Sequence, residues 1–152
     1  DTMEGKGRVL YSDGCHLFRD KTEPLAWDDD RLAEAAAVAK RSDTVILVLG
    51  LDETLEGEEG DTGNAAASGD KLDLLLPEPQ RILMDKVLEV GKPTILILMA
   101  GSSIDVSEAQ DKAGAVLLSW YPGAGGGRAV AEFRSHAGAA QLHCFFHVRL
   151  QS

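Results

Sequence analysis

Apolar residues along the chain fall into two patterns. Short unbroken runs, TVILVLG at 44–50, TILILMA at 94–100 and AVLLSWY at 115–121, have the continuously apolar character of strands buried on both faces. A shorter stretch at 8–11 is a further strand candidate. Between these runs the apolar positions recur at helical spacing. Residues 29–41 are Ala-rich and periodic, with Asp28 or Asp29 placed to cap them. Residues 79–90 carry Ile82, Leu83, Val87 and Val90 on one side and stop at Gly91, before Pro93. Another helix opens at 128–133, behind the glycines of GAGGG. Buried strands joined by crossover helices predict an α/β fold: a mostly parallel sheet with helices on both faces, an α/β sandwich of the doubly wound type. Such sheets hold ligands at the carboxyl ends of their strands. That rule points to the segments after Leu49, Met99 and Tyr121.

Composition narrows the partners. At 152 residues, 44% hydrophobic and 26% charged, the chain has the size and make-up of one folded domain. Its net charge of -10 repels phosphate backbones and anionic lipid surfaces, so neither nucleic acid nor a membrane is expected as a partner. No apolar run reaches the roughly 18 residues of a membrane span. The opening DTMEGKGRV has no signal-peptide core and reads as the middle of a longer chain; any signal would lie upstream, and a cytoplasmic setting is the expectation. Cys15 and Cys144 lie far apart and neither belongs to a CxxC or Cys/His cluster, which predicts two free thiols and no metal centre.

All three strand ends are chemically unusual. After the run at 44–50, Glu53, Glu56, Glu58, Glu59 and Asp61 crowd five carboxylates into nine residues with no basic residue among them. Crowding of this kind raises some of their pKa values if the segment folds against anything, which suits a general acid; otherwise it is a solvated acidic loop. The run does not fit the spaced calcium ligands of an EF-hand loop. After the run at 94–100, Gly101, Ser102 and Ser103 form a tight turn that lines a polar pocket, and Asp105 caps a short helix. After the last run, Gly123, Gly125, Gly126 and Gly127 lead into a helix, either as a phosphate cradle or as a turn holding Trp120 and Tyr121. The sixth position of a GxGxxG pattern is Arg128 here and a Walker lysine is missing, so this is no dinucleotide fingerprint. Residues 62–69, TGNAAASG, make a small-residue loop.

Taken in order, YSDGC at 11–15, VLGLDETLEGEEGD at 48–61, SGDKLDLLLPEPQ at 68–80, KPTILILMAGSSIDVSEA at 92–109 and AVLLSWYPGAGGGRAVAE at 115–132 resemble the C-terminal α/β sandwich domain of glycoside hydrolase family 3, the β-glucosidases and β-xylosidases. The resemblance implies that residues 1–132 form that domain and that 133–152 are an atypical tail. In the tail, Phe133, Leu142 and Phe146 keep the family's spacing, while Arg134, Gly138 and His143 stand where the family has a glycine and prolines; His136, His143 and His147 receive no role. In the family an N-terminal barrel supplies an Asp nucleophile and this domain supplies the general acid/base Glu of a retaining mechanism. The matching position is Glu58, with Glu56 the runner-up. The family's Asp-Arg pair looks like Asp70-Lys71, which makes 62–69 an insertion and puts Lys in place of Arg. The resemblance further implies a substrate pocket that includes Asp52, Asp70, Lys71, Gly101 and Ser102, a β-linked glucoside or xyloside as substrate, and no cofactor or metal. The alternative is a non-catalytic module holding a small ligand or a protein; a barrel encoded upstream would favour the hydrolase, and a start at Met3 the module.

Overall fold

A computed structural model describes residues 8–18, 27, 30–56, 71 and 73–136. Its elements run α1 (Asp30–Lys40), β1 (Val45–Gly50), α2 (Glu53–Glu56), α3 (Glu78–Leu88), β2 (Thr94–Met99), α4 (Ser107–Gln110), β3 (Ala115–Leu118) and α5 (Gly126–His136). The three strands form one parallel sheet in the order β1-β2-β3. Val45 pairs with Thr94 and Gly50 with Met99 across the first pair, and Ile95 pairs with Ala115 across the second.

Strand side chains alternate between two apolar layers, as the period of two requires. Val45, Leu47, Leu49, Leu96 and Leu98 pack on Ala35 and Ala39 of α1, on Leu83, Met84 and Val87 of α3, and on Ala109 of α4. Ile46, Val48 and Ile97 face the other way, with Ile95, Met99, Leu117 and Val130 of α5 against them. Helices therefore cover both faces of a parallel sheet, the expected α/β class. Small alanines on the buried side of α1 let it pack closely without bulk. In α3, Pro79 stands in the first turn, where its missing N–H costs nothing, and Leu83, Met84, Val87 and Leu88 make the buried stripe.

Three sequence expectations need correction. Ile82 is 42% exposed, and the buried position on that side of α3 is Gln80. The stretch at 8–11 contributes a single bridging residue, Leu10, rather than a strand. The third run pairs only as far as Leu118, because Trp120 adopts φ 53°, a left-handed backbone that no strand continues through.

Gln80 fixes the carboxyl end of β1. Its Oε1 accepts the Gly50 N–H at 2.8 Å and its Nε2 donates to the Gly50 carbonyl at 2.7 Å, so the side-chain amide completes the outer edge of β1 as a neighbouring strand would. The same Nε2 donates to the Leu17 carbonyl at 2.7 Å, drawing the N-terminal segment onto the sheet. Gly50 is obligatory there: a Cβ would stand 1.9 Å from the Met99 carbonyl oxygen.

Candidate active site at the strand ends

The β1–β2 ladder extends one step beyond β1, where the Leu51 N–H donates to the Met99 carbonyl at 2.8 Å. Asp52 then turns the chain. Its Oδ1 accepts the Thr54 N–H at 3.0 Å and the Thr54 hydroxyl at 2.6 Å, and its carbonyl accepts the N–H groups of Leu55 and Glu56. These bonds make the buried Asp52 the N-cap of α2. Part of the expected acidic loop is thus one turn of helix.

That turn carries Glu56 to the other two strand ends. Its Oε2 accepts the Gly101 N–H at 2.7 Å, and the carboxylate also accepts the hydroxyls of Ser102 and Tyr121. A carboxylate at the end of α2 therefore holds the loop after β2 and Tyr121, in the segment after β3. Space at the junction is tight. A Cβ on Gly101 would lie 2.7 Å from the Tyr121 ring and 3.3 Å from the Glu56 carboxylate oxygen, so a larger residue there would displace the ring from the carboxylate.

The electrostatics follow from this geometry. Partial burial pushes the Glu56 carboxyl up, but hydrogen bonds from the Ser102 and Tyr121 side chains and from the backbone of Gly101 and Ser102 outweigh it and hold the group below its ordinary value. Glu56 is therefore not one of the carboxyls that crowding raises; Glu58, Glu59 and Asp61 lie outside the described residues. The Tyr121 phenol shifts upward, first through burial and then because its proton is shared with the charged Glu56.

Lys71 reaches the same loop, its ammonium donating to the Ser103 carbonyl at 2.7 Å. Asp105 accepts the Ser107 N–H at 2.9 Å and the Ser107 hydroxyl just ahead of α4, but the N-cap is Val106, without a side-chain cap bond, so the expected Asp105 cap is off by one residue. Those hydrogen bonds hold its carboxyl below the usual range. The glycine-rich segment forms a turn, with the Gly126 N–H donating to the Gly123 carbonyl and the Gly126 backbone packed against the Pro122 ring.

Of the residues singled out in the sequence, Glu56, Gly101 and Ser102 meet in one cluster, Asp52 organises it from beneath and Lys71 borders it. Glu58 and Asp70 lie outside the described residues, as does the 62–69 loop. Tyr121 belongs to the cluster and was expected only in a structural turn; its place just past the third apolar run was the available signal. Cys15 is buried and its thiol is pushed up to about 12 by burial, with the Arg31 charge opposing, which leaves it a poor nucleophile. Cys144 lies outside the described residues. Among the described residues no group of three His, Cys, Asp or Glu side chains is placed to hold a metal ion, and no helix is long and apolar enough to cross a membrane.

Comparison with known proteins agrees with this architecture. The β-D-xylosidase 1 of Arabidopsis thaliana is 37% identical over 127 residues, which make up 82% of this chain and 14% of that protein. The periplasmic β-glucosidase of Salmonella typhimurium is 28% identical over 138 residues, 82% of this chain and 17% of that protein. Among solved structures, a family 3 exo-β-xylosidase in complex with a xylobiose aziridine probe superposes with a TM-score of 0.63 at 28% identity, covering 82% of this chain and 14% of that one. The β-glucosidase of Listeria innocua in complex with glucose gives 0.59 at 29% identity, covering 76% and 15%. The chain thus spans about a seventh of the length of the relatives it matches. Residues 4–133 match the model of the glycosyl hydrolase family 3 C-terminal domain, and with the parallel sheet and its occupied strand ends this establishes that the chain belongs to that family.

Proposed function

We propose that this chain is the domain of a retaining β-glycosidase that supplies the general acid/base, and that Glu58 is that residue. The observation that carries the choice is the state of Glu56. A general acid working near neutral pH needs a carboxyl raised toward that pH. Glu56 is the opposite, an acceptor engaged by Gly101, Ser102 and Tyr121 and held below its ordinary value. In the Glu56-Gly57-Glu58 sequence the proton-transfer role therefore falls to Glu58.

The rest of the reaction follows retaining chemistry. An Asp on a barrel domain outside these 152 residues attacks the anomeric carbon while Glu58 protonates the leaving oxygen, and Glu58 then removes a proton from the water that releases the sugar. The two carboxyls of such enzymes stand about 5–5.5 Å apart, so the barrel must close over the strand ends. The substrate is a β-linked xyloside or glucoside, the sugars named for the relatives. The test is leaving-group dependence in the full-length gene product. Glu58→Ala should slow hydrolysis of alkyl glycosides by roughly 10²–10⁴, the usual worth of a proton donor, while a dinitrophenyl glycoside still forms the covalent intermediate quickly. Equal losses for both leaving groups would remove Glu58 from the role.

A further inference from the structure

α2 is a single turn with no buried side chain of its own. A helix this short is not stable by itself, so its position depends on what ties it down. Asp52 fixes its start and Glu56 its end. The Glu56 bonds span sequence separations of 45, 46 and 65 residues, and they bring the ends of β1, β2 and β3 to one carboxylate. Glu58 follows only two residues beyond that anchor.

We propose that Glu56 is a positioning residue: by binding Gly101, Ser102 and Tyr121 together it fixes the end of α2 from which the acid/base segment departs. Glu56 moves no proton in the reaction. Its worth lies in holding the end of α2 in place, since small misplacements of a reacting group are costly in rate. The proposal rests on Glu58 as the acid/base. A carboxylate suits the position because it only accepts and presents two oxygens with lone pairs enough for the backbone and hydroxyl donors that converge there. Gly101 is part of the same device, since any Cβ there would push the Tyr121 ring and the carboxylate apart.

The test has two arms. In the 152-residue chain, Glu56→Ala should speed hydrogen exchange of the Gly101 amide at least about 10-fold, with Leu47 and Leu96 in the sheet unchanged. Unchanged exchange at Gly101 overturns the proposal. In the full-length gene product, Glu56→Ala and the milder Tyr121→Phe should lower kcat/KM on alkyl glycosides, about 10-fold and 3-fold, with KM within about 2-fold and with kcat/KM on dinitrophenyl glycosides, whose glycosylation needs no proton, little affected. The double variant should be no slower than Glu56→Ala alone, because both remove one device. Additive losses, or equal losses of kcat/KM for both leaving groups, overturn the positioning role. If Glu58→Ala lacks leaving-group dependence while Gly101 exchange responds to Glu56→Ala, it is the acid/base assignment that fails.

Discussion

Gln80→Leu tests how the carboxyl end of β1 is held. The substitution keeps the approximate volume of a fully buried side chain and deletes its amide, leaving the Gly50 N–H and C=O without their partner and removing one from the Leu17 carbonyl. Gly50 is buried, so both its groups lose a partner that water does not replace. Each such group costs about 1–3 kcal/mol. Leu17 is partly exposed, and its carbonyl turns to solvent at smaller cost. The new leucine recovers part of the loss through apolar burial, which leaves a net destabilisation of about 2–3 kcal/mol. Urea unfolding of the 152-residue chain should show a lower midpoint at unchanged m value, and the thermal midpoint should fall by roughly 5–10 °C. A loss under about 0.5 kcal/mol would mean that the amide does not carry the edge of β1.

Two further outcomes follow from the cluster and from the chemistry. The Glu56 carboxyl is held below its ordinary value of 4.5, so the stability it contributes is present above the unfolded-state pKa and is lost as pH falls through the folded one. The stability gap between wild type and Glu56→Gln should therefore be full at pH 6 to 7 and close on acidification below about pH 4.5; a gap that widens in acid contradicts the account. The 152-residue chain alone should hydrolyse no aryl β-xyloside or β-glucoside above buffer, since the proposed mechanism takes its nucleophile from a separate barrel domain. Turnover abolished by Glu58→Gln would overturn that expectation.

The strands at 45–50 and 94–99 were legible because a continuous apolar run has few other uses in a chain of this size. β3 ended early for a local reason, the left-handed backbone at Trp120, which a bulky aromatic gives no cause to expect. Gln80 inverted the α3 pattern because its partners are the Gly50 backbone and the Leu17 carbonyl, and hydropathy ranks a glutamine as exposed whatever it bonds. The acidic segment was visible as unusual, but the sign of its electrostatics was not. Counting like charges predicts that some carboxyls are raised without saying which, and Glu56 is not among them because it answers to donors from the loop after β2 and from Tyr121. Strand-end topology brought Gly101 and Ser102 to the Glu56 carboxylate, yet periodicity carries no information on pairs so far apart in sequence as Glu56 and Tyr121.

The assignment of Glu58 as acid/base is tested most directly by the product that azide gives with the full-length gene product. In Glu58→Ala the covalent intermediate forms from a dinitrophenyl glycoside and then waits, because no base activates water. Azide needs no base, so it should restore turnover and accumulate as the β-configured glycosyl azide, which NMR of the reaction mixture identifies. Glu56→Ala, with Glu58 still present, should release free sugar and little glycosyl azide. Finding the β-glycosyl azide with Glu56→Ala, and none with Glu58→Ala, would contradict the account.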